Sequence, residues 1–93
     1  MIELSIHLFN ILADAAGTRV VHKSVAYDTR LIDAIRLLSA DYPAAFHNML
    51  LPNGAISNYL KIFINGRLVD NGETLTLLND GDEIMLFPAV SGG

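Results

Sequence analysis

The chain has 93 residues, 52% of them apolar, no cysteine and a formal net charge of −4. That is one domain's worth of chain with enough apolar residues for a core, and it excludes disulfides, thiolate metal sites and a cysteine nucleophile. The basic residues Arg19, Lys23, Arg30, Arg36, Lys61 and Arg67 are scattered, whereas phosphate-backbone binding needs them clustered. Nucleic acid is therefore not an expected partner, and a basic protein surface is.

Ile2 to Phe9 alternates apolar with mostly polar residues, which reads as a half-buried strand. Asp14-Ala-Ala-Gly17-Thr18 then reads as a turn, and Arg19 to Val25 as a second strand closing an N-terminal hairpin. The segment MIELSIHLFN lacks a basic stretch followed by an apolar one, and no apolar run is long enough to span a bilayer. A cytoplasmic protein with no membrane partner is expected. Asp28 or Thr29 is a candidate helix N-cap. Leu31, Ala34, Ile35, Leu38 and Tyr42 follow at helical spacing, and Pro43 stops the helix because the residue before a proline avoids the helical region. Ala44 to Leu51 is expected to hold a short further helical turn, and Pro52-Asn53-Gly54 a loop.

Tyr59 to Ile64 is a third strand. Asn65-Gly66 signals a type I′ hairpin turn, whose two central residues need positive φ, and Arg67-Leu68-Val69 returns. Further turns fall at Asn71-Gly72 and Asp80-Gly81-Asp82, and Glu83 to Phe87 is the last strand. The economical burial of this order is α+β: a mixed sheet with one main helix on one face, in a single domain spanning 1–93.

The strand phases also predict an outward face. With Leu60, Ile62, Ile64, Ile84 and Leu86 in the core, Lys61, Phe63, Met85 and Phe87 point away from the helix, and Phe9 joins them. A contiguous apolar patch of this kind marks an interface with a partner. The competing reading is that loops cover the rings.

Pro88 to Gly93 forms a tail of small residues reaching about 20 Å when extended. The tail is expected to be flexible from residue 88 onward, with Pro88 ending sheet pairing because it has no N–H. Gly92 and Gly93 have no side chains, so they fit a narrow channel and take whatever backbone angles a host site imposes. The reactive group left at the end is the Gly93 α-carboxylate. A carboxylate is a poor acyl donor until its oxygen becomes a leaving group, so a nucleotide-using partner enzyme is implied. Two terminal glycines arise by chance in roughly one chain in two hundred, and a frayed terminus of no consequence fits them too. His7, His22 and His47 show no metal-ligand spacing. Asp80, Asp82 and Glu83 read as a turn rather than a calcium loop.

The chain resembles the MoaD/ThiS group of ubiquitin-like sulfur carriers, with the greatest similarity to the small subunit of molybdopterin synthase. The resemblance rests on Leu8-Phe9 leading into Ala15-Ala16-Gly17, the helix Leu31–Leu38, Ile64-Asn65-Gly66-Arg67, and Asp80-Gly81-Asp82-Glu83-Ile84 through Phe87-Pro88-Ala89-Val90-Ser91-Gly92-Gly93. It implies a β-grasp fold and a non-catalytic carrier with no cofactor of its own. A ubiquitin-activating-type (MoeB-like) enzyme would use ATP to adenylate Gly93, and a sulfur donor would convert that end to a thiocarboxylate. The tail would then enter the large (MoaE-like) subunit of molybdopterin synthase. Phe9, Phe63, Met85, Phe87, Lys61 and the tail residues Pro88, Ala89, Val90 and Ser91 would contact partners. Ala89 stands where the family's usual tail has a second proline, so a less rigid tail base is expected. Three other functions share the pattern: a protein modifier joined to lysines through Gly93, a sulfur carrier for thiazole or cysteine synthesis, and a binding module with an inert tail.

Overall fold

The computed structural model describes residues 1–89. The alternation at the N-terminus becomes β1 (Ile2–Leu8), which buries Ile2, Leu4, Ile6 and Leu8 to 5% exposure or less. The chain leaves the sheet at Asn10, whose backbone takes φ 54° and ψ −130°. Such a conformation costs a non-glycine residue about 1–3 kcal/mol and persists only where its surroundings impose it. Helix α1 (Ile11–Ala16) follows, burying Leu12. It ends at Gly17, at φ 76°, whose N–H donates to the Ala13 carbonyl. This corrects the plain turn expected over Asp14–Thr18. The three alanines of ILADAA favour helix, and the glycine is the left-handed residue that stops it. Strand β2 (Val20–Val25) returns antiparallel to β1, with Ile2 opposite Val25 and Ile6 opposite Val21. The two strands pair as expected, but across a helical connection rather than a tight turn.

Helix α2 (Leu31–Asp41) places Leu31, Ala34, Ile35 and Leu38 in the core. Its N-cap is Arg30, not Asp28 or Thr29. Arg30 is still extended, bridged to Leu77, and its N–H donates to the Asp33 carboxylate. Asp28 lies in a turn closed by the Thr29 N–H on the Ala26 carbonyl, and the bridge then keeps Arg30 extended, so the helix starts one residue after it. The stop before Pro43 is as expected. The proline opens α3 (Pro43–Phe46), which inserts Phe46 fully into the core.

Strand β3 (Leu60–Ile64) and the short β4 (Arg67–Leu68) form the predicted hairpin, with Asn65 at φ 50° and Gly66 at φ 86°. A single 3-10 turn, Asn71–Glu73, replaces the expected simple turn. Strand β5 (Glu83–Pro88) completes a five-stranded sheet of order β2-β1-β5-β3-β4. Strands β1 and β5 pair in parallel, and the other neighbours are antiparallel. The mixed sheet with its main helix on one face is the expected α+β arrangement. Among the described residues, no helix is long and apolar enough to cross a membrane.

The acidic segment at 80–83 is a turn that pins two strands. The Asp80 carboxylate accepts from the Glu3 N–H, and the Gly81 N–H donates to the Glu3 carbonyl. Asp82, 7% exposed, accepts from the Asn79 N–H and from the Asn65 amide. Asn65 in turn exchanges bonds with Glu83 through its side-chain oxygen and its backbone N–H. The hairpin turn and the start of β5 are thereby tied together.

Leu86, on the central strand of the sheet, is fully buried in the core. We expect Leu86→Ala to destabilise the fold by about 2–5 kcal/mol, measured by urea denaturation. A loss well below that range would contradict the packing described.

Candidate functional site

The register of the sheet decides which side chains share the face opposite α2. Val20 lies opposite His7, His7 beside Met85, Met85 opposite Phe63, and Phe63 opposite Leu68. One row therefore crosses all five strands, apolar except for His7. The next row, toward the end of β5, holds Phe87 opposite Lys61. Phe9 continues the line of β1 and is held by its N–H on the Leu86 carbonyl. Its ring stacks on Phe87 with centroids 4.1 Å apart and planes 9° from parallel. Phe63 meets Phe87 edge-on at 5.5 Å and 78°. Both geometries are favoured for aromatic pairs, by about 0.5–1.5 kcal/mol beyond area burial.

Phe9, Phe63, Met85 and Phe87 thus come together, all partly exposed, with Lys61 exposed beside them. No helix lies over them, because α1, α2 and α3 supply their buried residues to the opposite face. Val20 and Leu68, both exposed, extend the patch to the two sheet edges. Reading the sequence missed them, because strand order is what brings their rows into line. Toward the far end the face turns polar: His22 approaches the Ser5 hydroxyl at 3.4 Å, and the Ser24 hydroxyl donates to Glu3. His7 lies between these zones. Its Nε2 is buried, has no hydrogen bond and sits 3.5 Å from the Glu83 carboxylate. The sequence shows no acidic neighbour for this histidine, and the β1–β5 pairing supplies one. At the β4 edge Arg67 pairs with Glu73 at 3.0 Å. The Asp70 N–H and the Arg67 guanidinium hold the Glu73 carboxyl below its usual range.

The exit of β5 differs from expectation at Pro88. The sheet does not stop there. Pro88 is buried opposite Leu60, and the Ala89 N–H donates to the Tyr59 carbonyl. Backbone N–H groups along a strand alternate between its two neighbours. Ala89 points to the β3 side, so residue 88 points to the β1 side, where the chain has already turned away at Asn10. A proline there costs the sheet no bond, as at an edge. Sheet bonding thus runs one residue past Pro88, to Ala89. Ala89 contributes a sheet bond that a second proline, lacking an N–H, could not make. Ile11, Leu51 and Tyr59, all largely exposed, line a shallow apolar hollow with Pro88 and Ala89. These three residues, on segments far apart in sequence, form a collar at the tail's root that no local pattern announced. The tail residues Val90, Ser91, Gly92 and Gly93 lie outside the described residues.

Comparison with known proteins places this geometry in a lineage. The ThiS family model matches residues 6–93. Small archaeal modifier protein 1 of Haloferax volcanii is 35% identical over 86 residues, covering 92% of this chain and 95% of its own. The crystal structure of that Haloferax protein matches with a TM-score of 0.83 at 33% identity, covering 98% of this chain and 99% of that one. Small archaeal modifier protein 3 of the same organism is 29% identical, with 98% and 99% covered. A "Putative sulfur carrier protein" of Archaeoglobus fulgidus is 38% identical over 60 residues, with 63% and 68% covered. The architecture is the ubiquitin-like β-grasp.

The Ala89 bond makes a direct prediction. In native-state hydrogen exchange the Ala89 amide should be protected relative to an unstructured amide of the same sequence. Ala89→Pro should leave the exchange of the β1–β5 core amides unchanged. A fully unprotected Ala89 amide would place the end of the sheet at Pro88.

Proposed function

The chain belongs to the ThiS family, and we propose that it acts as a ubiquitin-like protein modifier through the α-carboxylate of Gly93. The observation that carries this reading is 35% identity, over 92% of the chain, to a small archaeal modifier protein. The geometry suits the role. The aromatic row of Phe9, Phe63 and Phe87 lies beside the exit of β5, so a partner seated on that face also faces the tail. Pro88 and Ala89 are anchored in the sheet, which sets the point from which the tail departs. Burying three partly exposed aromatic side chains and Met85 supplies docking energy at roughly 25 cal/mol per Å² of apolar area, before the costs of association are subtracted.

The chemistry needs a partner of the ubiquitin-activating (MoeB-like) type. That enzyme would use ATP to join the Gly93 carboxylate to adenylate, turning a poor leaving group into a good one. A lysine amine of a target protein then attacks the carbonyl carbon, an amide bond forms, and AMP departs with the electron pair of the broken C–O bond. The reactive end belongs to this chain, and the ATP site and the acid–base groups belong to the partner.

A second reading is supported by the 38% identity to the Archaeoglobus protein and by a sequence without cysteine. Here the same acyl-adenylate takes sulfur to become a thiocarboxylate, so that sulfur rides on the backbone terminus. The tail would then deliver it to a MoaE-like large subunit for molybdopterin synthesis, or to another sulfur pathway. The two readings share every step through adenylation and diverge only at the nucleophile.

Intact-protein and peptide mass spectrometry of the chain recovered from its own cells separates them. The modifier reading expects Gly93 joined to lysines of other proteins, and a variant lacking Gly92 and Gly93 should form none. A C-terminal peptide carrying sulfur in place of one oxygen, without conjugates, would establish the carrier reading instead. Absence of both would overturn the activated-end proposal. Phe87→Asp should weaken binding to the adenylating enzyme by about tenfold or more in calorimetric titration, as expected for a central aromatic anchor. Unchanged affinity would remove the aromatic face from the docking surface.

A further inference from the structure

The chain sets 6 lysine and arginine side chains against 10 side-chain carboxylates. In so acidic a chain a cation is expected to sit on a carboxylate, and Lys23 does so on Asp41 and Arg67 on Glu73. Arg30 and Arg36 do not. The Arg30 Nη1 donates to the Leu75 carbonyl at 2.6 Å. The Arg36 Nε and Nη2 donate to the Gly54 carbonyl at 3.4 and 3.2 Å. Neither guanidinium has a carboxylate within ion-pair distance among the described residues. Both are thus fixed in place with their charge uncompensated. Gly54 is fitted to this arrangement: its φ is +84°, and a Cβ there would stand 3.1 Å from the Arg36 Nη2. A side chain at 54 would push the guanidinium aside.

Both guanidiniums line one open hollow of about 550 Å³, together with Ile32, Asn53, Ile56 and Leu75. That is the volume of a small-molecule site. Asn53 accepts the Ala55 N–H through its side-chain oxygen, so its NH2 group is left to donate. Asp33 is the one acidic residue of the wall, and its carboxylate is engaged by the Arg30 N–H. Two cations therefore face the hollow against one anion. A carboxylate's two oxygens match a single guanidinium fork, whereas a phosphate monoester offers three acceptor oxygens to two forks. We propose that this hollow binds a phosphate monoester, its phosphate held by Arg30 and Arg36 and its body resting on Ile32, Ile56 and Leu75. The inference does not depend on the modifier reading.

The hollow belongs to the helix side of the sheet, since Ile32, Asp33 and Arg36 are on α2. The aromatic row lies on the other face. A bound ester therefore leaves Phe9, Phe63 and Phe87 open to a docking protein. It also bridges α2, the loop around Gly54 and the segment at Leu75. A ligand that joins three segments of the folded chain raises its melting temperature by mass action.

The test titrates adenosine monophosphate into the isotope-labelled full chain and follows it by NMR. Inorganic phosphate, adenosine and an acetylated triglutamate peptide are separate arms. The proposal expects saturable shifts at the Arg36 Nε–H and at the amides of Gly54, Ala55 and Leu75. Adenosine should be inert, and inorganic phosphate should bind more weakly than the nucleotide. Arg36→Gln should weaken binding by about tenfold or more. Arg36→Lys should weaken it nearly as much, because an ammonium cannot supply the fork. Gly54→Ala should weaken it too, by displacing the guanidinium. Lys61→Gln, on the other face, should bind as the parent does, and melting without ligand shows which variants are folded. With adenosine monophosphate, no saturable shift at these groups, or shifts scattered over the other cations, would overturn the proposal. Full affinity in Arg36→Lys would reduce the site to charge attraction and overturn it as well. Tighter binding of the triglutamate peptide than of the nucleotide would overturn the phosphate assignment in favour of an acidic protein segment. Equal affinity for inorganic phosphate would overturn the role of the apolar wall. Each of these outcomes leaves the modifier reading standing.

Discussion

In the centre of the sheet β1 and β5 run side by side in the same direction, with Ser5 through Leu8 facing Glu83 through Leu86. Parallel strands cannot be joined by a tight turn, so the rest of the chain serves as the crossover between them. The crossover carries α2, whose Leu31, Ala34, Ile35 and Leu38 share one core with Ile6, Leu8, Ile84 and Leu86, and it leaves the other face bare. It also carries the turn at 79–82, which grips Glu3 through Asp80 and Gly81 and fixes where β5 begins. Once the register is set, the apolar row and the aromatic cluster follow from the pleat alone.

Leu86 and Phe87 show how one strand serves two purposes. They are adjacent, yet the side chains point to opposite faces, one fully buried and one partly exposed. The bare face is where the fold gives up burial: Phe9, Phe63, Met85 and Phe87 stay partly exposed, and Val20 and Leu68 exposed. Stacking of Phe9 on Phe87 and the edge contact from Phe63 reduce the exposed area and hold the rings in one arrangement. The strained Asn10 belongs to the same design. It turns the chain out of β1 directly after Phe9, which frees the space beside β5 and lets Pro88 occupy a position where no hydrogen bond is lost.

The chain belongs to the ThiS family and has the ubiquitin-like fold. Nothing in the described structure gathers a nucleophile, a base and an oxyanion site. The fold instead presents an exposed apolar face beside an anchored exit strand, with Lys61 in that face.

Much of this was legible in the sequence because it is set locally. The period-two alternation of Ile2–Leu8 and Leu60–Ile64 marks strands, the spacing of Leu31, Ala34, Ile35 and Leu38 marks the helix, and Asn65-Gly66 specifies its turn by φ alone. The face of Phe63, Met85 and Phe87 was also readable, since the pleat fixes which side chains share a side. Short elements were harder. Helix α1 is six residues long, and its Gly17 reads as a turn unless the alanines before it are weighed. What only the tertiary structure decided is which strands are neighbours. Strand order is fixed by non-local hydrogen bonds and by burial under α2, and no window of sequence contains them. That order lines Val20 and Leu68 up with the aromatic row and brings Glu83 to His7. It also gathers Ile11, Leu51 and Tyr59 at the tail's root, engages Lys23 while leaving Lys61 free, and gives the Ala89 N–H its partner in Tyr59.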